Sequence, residues 1–403
     1  MCHNYYQQAG GEDQVFADEA ALLESHGHEV IRYQRHNDQI DQMSRWAAAR
    51  GTVWNTESYH QLRGLMRRHH PDIMHCSNTF ALISPAAYYA ARSQRVPVVQ
   101  SLHNYRLLCP NGLFLRNGRA CESCLGLSVA WPGIWRRCYR DSHAASAVLA
   151  ATTSVHRLLG TWKRAVHRYI ALSSFSRDKF VQGGLPAERI VVKSNFVHPD
   201  PMPGSGGRGY AIAVGRLSAE KGIDTLLQAW AKLPDNLALK IVGDGPLADR
   251  VQAAARDDQR IEWLGRRPLE QVYALLGDAA FLVLPSICYE NCPKVLIEAY
   301  AKGVPVIASR IGSMVEFVRH GTTGLHFEAA DPARLVECVQ LLTADSDARR
   351  RMQKEARREF QAKYTAESNY RILLSVYQQA RDAMGLRGVD QQESFRHKVG
   401  SRN

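Results

Sequence analysis

The sequence predicts an α/β fold made of two Rossmann-like, doubly wound parallel-sheet domains that face each other across a cleft. Short apolar strands alternate with helical segments through residues 210–327, a pattern typical of a parallel sheet covered by helices on both faces. Residues 1–197 repeat this alternation less cleanly, and proline and glycine dominate the stretch 198–209 between them. A chain of 403 residues also exceeds one ordinary core, so two domains joined by a linker are expected.

The second domain is predicted over residues 210–365. Its strands are expected at 210–214, 237–242, 261–264, 280–284, 304–308 and 324–327. Three helices are expected over 331–384, and we predict that the last of them, within 366–387, packs back on the first domain. The polar segment 388–403 is predicted to be a flexible tail.

The first domain is predicted over residues 1–197, with strands at 28–33, 72–76, 96–102, 169–172 and 190–192 and a long alanine-rich helix at 142–167. A Rossmann-like unit should begin with an apolar strand that leads into a glycine turn. The turn is present at Gly10-Gly11-Glu12, but only the polar segment Met1 to Tyr6 precedes it closely. We therefore expect the first strand to be missing or truncated.

Composition narrows the class of protein. The hydrophobic content is 45%, no run of 18 apolar residues occurs, and the amino terminus lacks a signal pattern, so a cytoplasmic protein without a transmembrane helix is predicted. The net charge is +12, and residues 1–196 hold 23 Lys and Arg against 14 Asp and Glu. This excess favours an anionic membrane, a phosphorylated substrate or nucleic acid as a partner, and a solvated basic surface is equally compatible with it.

Two acids give the most specific site signal. Glu290 follows the apolar strand 280–284, and Glu298 lies about two turns into the next helix. Ligands bind at the carboxyl ends of the strands in open α/β sheets, so both carboxylates are expected to face one small molecule.

A second signal follows the first strand of the same domain. The segment Gly215-Arg216 precedes Lys221-Gly222 at the start of a helix. A glycine turn, two cations and a helix amino terminus form an anion site. Together with the acid pair, this predicts a ligand with phosphates and hydroxyl groups, such as a nucleotide sugar.

These motifs resemble those of the retaining glycosyltransferases of family 4, which have the two-domain GT-B fold. The resemblance rests on Gly10-Gly11-Glu12, Gly215-Arg216 with Lys221-Gly222, the segments 242–246 and 303–308, and Glu290 with Glu298. It implies that Glu290 contacts the donor sugar, that Glu298 contacts the ribose, and that Arg216 and Lys221 hold the diphosphate. It implies four catalytic residues, His103, Arg216, Lys221 and Glu290. The donor-binding residues that it implies are Gly11, Gly215, Arg216, Lys221, Gly243, Asn291, Cys292, Pro293, Lys294, Val295 and Glu298.

The same resemblance implies transfer of a sugar from a UDP- or GDP-sugar, with retention, in surface polysaccharide biosynthesis. The expected acceptor is a glycan or a polyprenyl-diphosphate-linked glycan. No catalytic metal or other cofactor is expected, because two cations and a helix terminus can stabilise the leaving diphosphate. The segment Asn291-Cys292-Pro293 departs from the Gly-Phe-Gly of many members, which leaves the donor sugar open.

An insert at 103–141 carries unusual residues. Cys109, Cys121, Cys124 and Cys138 have the spacing C-x11-C-x2-C-x13-C, from which we predict a structural zinc site, with four independent thiols as the alternative. Arginines interleave with Trp131 and Trp135, which favours peripheral contact with an anionic membrane on its inner face. Tryptophans in the core and solvated arginines are the alternative.

Three other functions remain compatible with parts of the sequence. A nucleotide-sugar epimerase could share the fold, and a zinc-stapled basic binding protein without catalysis would fit the charge and the cysteines. Nucleic-acid binding leaves the cluster of Arg216, Lys221, Glu290 and Glu298 unexplained, so no nucleic-acid partner is expected. An inactive paralogue or fragment would fit the absent first strand.

Overall fold

The computed structural model describes residues 1–7, 10–205, 209–234 and 237–385. It contains two six-stranded parallel sheets with helices on both faces, which confirms the predicted fold class. The predicted tail 388–403 and residues 206–208 of the predicted linker lie outside the described residues. Within those residues no helix is long and apolar enough to cross a membrane.

The first sheet has the strand order β2-β1-β3-β4-β7-β8. Its strands are β1 (Cys2–Tyr5), β2 (Tyr33–His36), β3 (Met74–Asn78), β4 (Val98–Leu102), β7 (Arg168–Ala171) and β8 (Ile190–Val192). A hairpin of β5 (Leu115–Arg116) and β6 (Arg119–Ala120) lies in the insert.

The expectation of a missing first strand is wrong. Strand β1 lies inside the sheet and pairs with both β2 and β3. Its polar residues are buried and bonded: the Asn4 amide donates to Asn37 Oδ1 (2.8 Å), and the His3 ring lies 2.7 Å from an Asp13 carboxylate oxygen. An apolar pattern could not reveal this strand, because hydrogen bonds compensate the burial of its polar side chains.

Helices cover the first sheet and the insert. They are α1 (Gly11–Ser25), α2 (Arg45–Val53), α3 (Thr56–His69), α4 (Ala86–Ser93), α5 (Trp131–Trp135), α6 (His143–Leu158), α7 (Thr161–Arg164) and α8 (Ser174–Gln182). The predicted long helix is interrupted at Gly160, whose φ of 70° is left-handed, so α6 and α7 are separate.

The second sheet has the strand order β11-β10-β9-β12-β13-β14. Its strands are β9 (Ala211–Val214), β10 (Leu239–Val242), β11 (Ile261–Gly265), β12 (Phe281–Leu284), β13 (Val306–Ser309) and β14 (Gly324–Phe327). The helices of this half are α9 (Ile223–Trp230), α10 (Ala248–Asp257), α11 (Leu269–Asp278), α12 (Lys294–Ala301), α13 (Met314–Phe317), α14 (Pro332–Ala344), α15 (Ser346–Lys363) and α16 (Ala366–Asp382).

The last helix returns to the first sheet. Helix α16 packs on α1, β4 and β7, where Tyr377 bonds to the ring of His75 and Asn369 bonds to Lys193. The chain crosses between the halves twice, once after Val197 and once at Thr365, just before α16. These two residues form a parallel bridge. The two connections between the sheets are therefore neighbours.

Candidate active site

A cavity of about 750 Å³ lies between the two halves. Its walls are formed by the segments that follow β1 and β4 in the first sheet and β9, β11 and β12 in the second, so it occupies the sheet edge where ligands are expected. Most of the predicted site residues line it: Gly11, His103, Gly215, Arg216, Lys221, Glu290, Asn291, Cys292, Pro293, Lys294 and Val295.

Glu290 and Lys221 form an ion pair in this cavity. The Lys221 ammonium lies 2.6 Å from Glu290 Oε1, and the Ser286 hydroxyl donates to the same oxygen at 2.7 Å. Burial alone would raise the pKa of Glu290, but Lys221 and Ser286 outweigh it and lower that pKa. Burial likewise opposes the charge on Lys221, but Glu290 raises its pKa. Both groups are therefore charged at neutral pH, ready to meet hydroxyls and phosphates.

Close backbone packing sets the position of the Arg216 turn. The Cβ of any other residue at position 243 would lie 1.9 Å from the Gly215 carbonyl oxygen, and Gly243 has a φ of 139°. Gly243 does not line the cavity; it lets β10 approach the turn that carries Arg216. The Arg216 guanidinium in turn lies beside Gly10 of the first half.

Contacts across the cleft hold the segment that joins Glu290 to α12. The Asn291 amide donates to the His103 carbonyl oxygen (2.7 Å), and the Asn195 amide donates to the Cys292 carbonyl oxygen (2.8 Å). Lys294, the first residue of α12, pairs with Asp18 of α1. The amino terminus of α12 is thereby fixed at the cavity, where its N–H groups and dipole favour an anion.

Glu298 does not line the cavity with the other predicted donor-binding residues. It lies within α12 and is 6% exposed. Burial raises the pKa of Glu298 to about 7, Lys294 acts against this, and Asp18 adds to it. A ribose contact by Glu298 stays a prediction.

His103 lies at the cavity as predicted, in a neutral state. Its Nε2 is 3.0 Å from the Ser77 hydroxyl. Burial is the main cause that lowers the pKa of His103 to about 3. The ring is therefore an uncharged hydrogen-bonding group at neutral pH.

Two family models match consecutive parts of this chain. Residues 9–201 match the model described as Glycosyltransferase Family 4, and residues 203–359 match the model described as Glycosyl transferases group 1. The chain belongs to the family 4, group 1 glycosyltransferases. The predicted resemblance is confirmed.

Relatives of this family 4 protein come from several organisms. An uncharacterized glycosyltransferase of Methanocaldococcus jannaschii is 29% identical over 48% of this chain and 55% of that protein. A GDP-mannose-dependent alpha-(1-6)-phosphatidylinositol monomannoside mannosyltransferase of Mycobacterium tuberculosis is 27% identical over 60% of this chain and 64% of that protein. The chain thus spans between about half and two thirds of the length of these two relatives.

A solved structure supports the fold. The crystal structure of HepE from Anabaena in complex with UDP-glucose matches with a TM-score of 0.66 at 18% identity, over 93% of this chain and 99% of that one. Together with the two parallel sheets, this match identifies the fold as GT-B.

The first half of the family 4 protein adds two cavity residues that were not predicted as site residues from the sequence. The Arg106 guanidinium lies over the Phe80 ring at 4.4 Å, and its Nε is buried without a hydrogen-bond partner. Glu12 Oε1 is also buried without a partner, and burial raises the pKa of Glu12 to about 7. Both residues line the cavity. Glu12 directly follows Gly11, and Arg106 lies three residues after His103. This closeness in sequence to predicted site residues was the signal that could have identified them.

The four predicted cysteines of the insert are free thiols: Cys109 is buried, and Cys121, Cys124 and Cys138 are partly exposed. Burial is the main cause that raises the pKa of Cys124 to about 11. No three His, Cys, Asp or Glu side chains in the described part of the chain are arranged to hold a metal ion. The structural zinc site stays a prediction. Elemental analysis of protein purified without added zinc tests it, and a zinc content near zero would exclude it.

Proposed function

We propose that this protein is a retaining glycosyltransferase that moves a sugar from a UDP- or GDP-sugar to a glycan or a polyprenyl-diphosphate-linked glycan in the cytoplasm, as a step in polysaccharide biosynthesis. The observation that carries the proposal is the grouping of Arg216, the Lys221–Glu290 pair and the amino terminus of α12 around one cavity. The relatives' names support the donor class, since one is in complex with UDP-glucose and another is GDP-mannose-dependent.

The positively charged residues bind the diphosphate of the donor, and the negatively charged Glu290 binds its sugar. Arg216 and Lys221 neutralise the diphosphate, and the N–H groups at the start of α12 add hydrogen bonds to it. Glu290 accepts hydrogen bonds from hydroxyls of the donor sugar. Lys221 contacts Glu290 directly, so one cation is shared between the diphosphate site and the sugar site.

Transfer then depends on the leaving diphosphate. As the bond between the anomeric carbon and the phosphate oxygen breaks, negative charge grows on the diphosphate, and the two cations stabilise it. The acceptor hydroxyl attacks from the same face, and its proton passes to the departing phosphate oxygen. Neutral His103 lies at the first-half wall, where it can hydrogen-bond a sugar hydroxyl without adding charge. Arg216, Lys221 and the amino terminus of α12 provide the positive charge for which other transferases use a metal ion.

Ligand binding and turnover test the proposal in turn. Thermal shift with UDP, GDP, UDP-glucose and GDP-mannose should show a rise in melting temperature for one nucleotide series, because a ligand that binds only the folded state stabilises it. Nucleotide release should then depend on an added glycan acceptor and persist in EDTA. Conversion of the donor without any acceptor would support the epimerase alternative, and activity that EDTA abolishes and Mg²⁺ restores would contradict metal independence.

The stereochemistry is tested on the product. NMR of the new glycosidic linkage should show the same anomeric configuration as the donor sugar. An inverted linkage would contradict the retaining mechanism but leave the donor site intact.

A further inference from the structure

Helix α6 buries several polar side chains and exposes apolar ones. Its buried side chains are Leu149 and Ala150 together with the polar Ser146, Thr152, Ser154 and His156. Its outward positions include Val155, which is 39% exposed, and Leu158, which is 87% exposed. A helix on the surface of a water-soluble domain normally places these two kinds of residue the other way round.

Hydrogen bonds fix this orientation of α6. The Ser154 hydroxyl donates to the Ser128 carbonyl oxygen (2.8 Å), and the His156 ring lies 2.9 Å from the Val53 carbonyl oxygen. The buried polar groups are thus satisfied, and rotation of the helix would break their bonds. The apolar outer face therefore follows from the fold and calls for an apolar environment.

The neighbours of α6 extend the apolar surface. Helices α2 and α5 pack on α6, and they expose Trp46 (87%), Trp131 (62%) and Trp135 (77%). Within the described part of residues 1–197, every exposed large apolar side chain falls between 46 and 54 or between 129 and 159. We call the exposed residues of segments 44–54 and 129–164 the α6 face.

The charge of the α6 face is almost entirely positive. Its exposed charged residues are Arg45, Arg50, Arg136, Arg137, Arg140, Lys163, Arg164 and one acid, Asp141. Asp141 is paired with Arg137. Tryptophans beside cations, with almost no acid, match the interface of a bilayer that carries anionic lipid.

We propose that the α6 face docks on an anionic lipid bilayer, with the tryptophans at the headgroup level and the cations against lipid phosphates. The described helices are too short or too polar to cross a membrane, so the contact is peripheral, as for a helix that lies in the interface plane. This surface would hold the protein where a lipid-linked acceptor is found. Docking does not require that the proposed transfer be correct.

Vesicle flotation tests the proposal on the full chain. The protein should float with phosphatidylcholine vesicles that contain phosphatidylglycerol, and not with phosphatidylcholine alone. Its tryptophan fluorescence should shift to shorter wavelength on binding. Binding should weaken as salt is raised, because screening reduces the attraction of the cations. No flotation with the anionic vesicles at low salt would overturn the proposal.

Variants locate the contact. The double variant Trp131→Ala/Trp135→Ala should bind anionic vesicles at least tenfold more weakly. Leu341→Ala, at a residue that is 63% exposed on α14, should bind like the unmodified protein. Equal binding by the tryptophan variant would overturn the proposal, provided that its melting temperature is unchanged.

Two further measurements distinguish membrane docking from self-association and from the function of the donor site. A dimer seen by light scattering that the tryptophan variant loses would assign the α6 face to a second copy of this chain and overturn the proposal. Thermal shift by UDP or GDP reports on the donor site independently. Retained nucleotide binding without vesicle binding would therefore count against the membrane surface alone.

Discussion

The two sheets share an architecture but differ in the polarity of their cores. Twenty-two buried polar or charged residues lie between positions 1 and 197, against ten from position 209 onward, among the residues that the structure describes. The first core contains a fully buried ion pair between Glu19 and Lys193, whose side chains are each 1% exposed. The second half instead places its comparable pair, Lys221 with Glu290, in the cavity with exposures of 33% and 13%. We infer that the first pair serves stability and the second serves ligand binding.

The largest expected effect concerns the buried pair. Lys193→Met should lower the free energy of unfolding by about 3–5 kcal/mol, because it leaves the Glu19 carboxylate buried without its cation. Urea unfolding followed by circular dichroism measures this. The double variant Glu19→Leu/Lys193→Met should recover much of the loss. A single variant as stable as the unmodified protein would show that the first pair is not structural.

The next effect concerns the pair in the cavity. Lys221→Ala and Glu290→Ala should each reduce acceptor-dependent nucleotide release by about 10²–10³-fold, since each removes a charged group that faces the donor. Their stability should change by less than about 1 kcal/mol, because the pair is partly exposed. Lys232→Ala, at an exposed lysine of the same half, is the matched control and should keep full activity. Near-normal turnover in either site variant would contradict the assignment.

The smallest effect concerns Glu298, the buried acid of the second half. Its pKa is about 7 in the folded protein against an ordinary value of 4.5, so the folded state holds this proton more tightly than the unfolded state does. The stability that Glu298 contributes is thus full below about pH 4.5 and is lost as the pH rises through about 7. Glu298→Gln should remove this loss, a difference of about 1–3 kcal/mol at pH 7.5. Parallel pH profiles of the melting temperature for the two proteins would contradict it.

The difference between the cores also explains how far the sequence could predict the fold. The six strands of the second sheet are mainly apolar, and each was predicted within a few residues. In the first sheet, β1 was missed because its buried residues are polar. Strand β2 was expected at 28–33 but lies at Tyr33–His36, where β1 provides its partner.

For the site, too, one part could be predicted from the sequence and another part could not. Gly215, Arg216 and Lys221 follow one strand and Glu290 follows another, so strand ends and charge sufficed to predict that they meet. Contacts between distant segments, such as Asn195 with Cys292 or Asp18 with Lys294, depend on how the halves dock. A single sequence carries no local signal for them.

The neighbouring crossings at Val197 and Thr365 limit how the two halves can move apart. Because the two chain connections are adjacent, the halves can rotate about an axis close to these connections but cannot separate freely. Cutting the chain near residue 200 would therefore leave α16 attached to the wrong fragment. The amino-terminal piece would then lack the helix whose Tyr377 and Asn369 bond to His75 and Lys193. Neither half is expected to survive as an independent product of limited proteolysis, even though each has a sheet of its own.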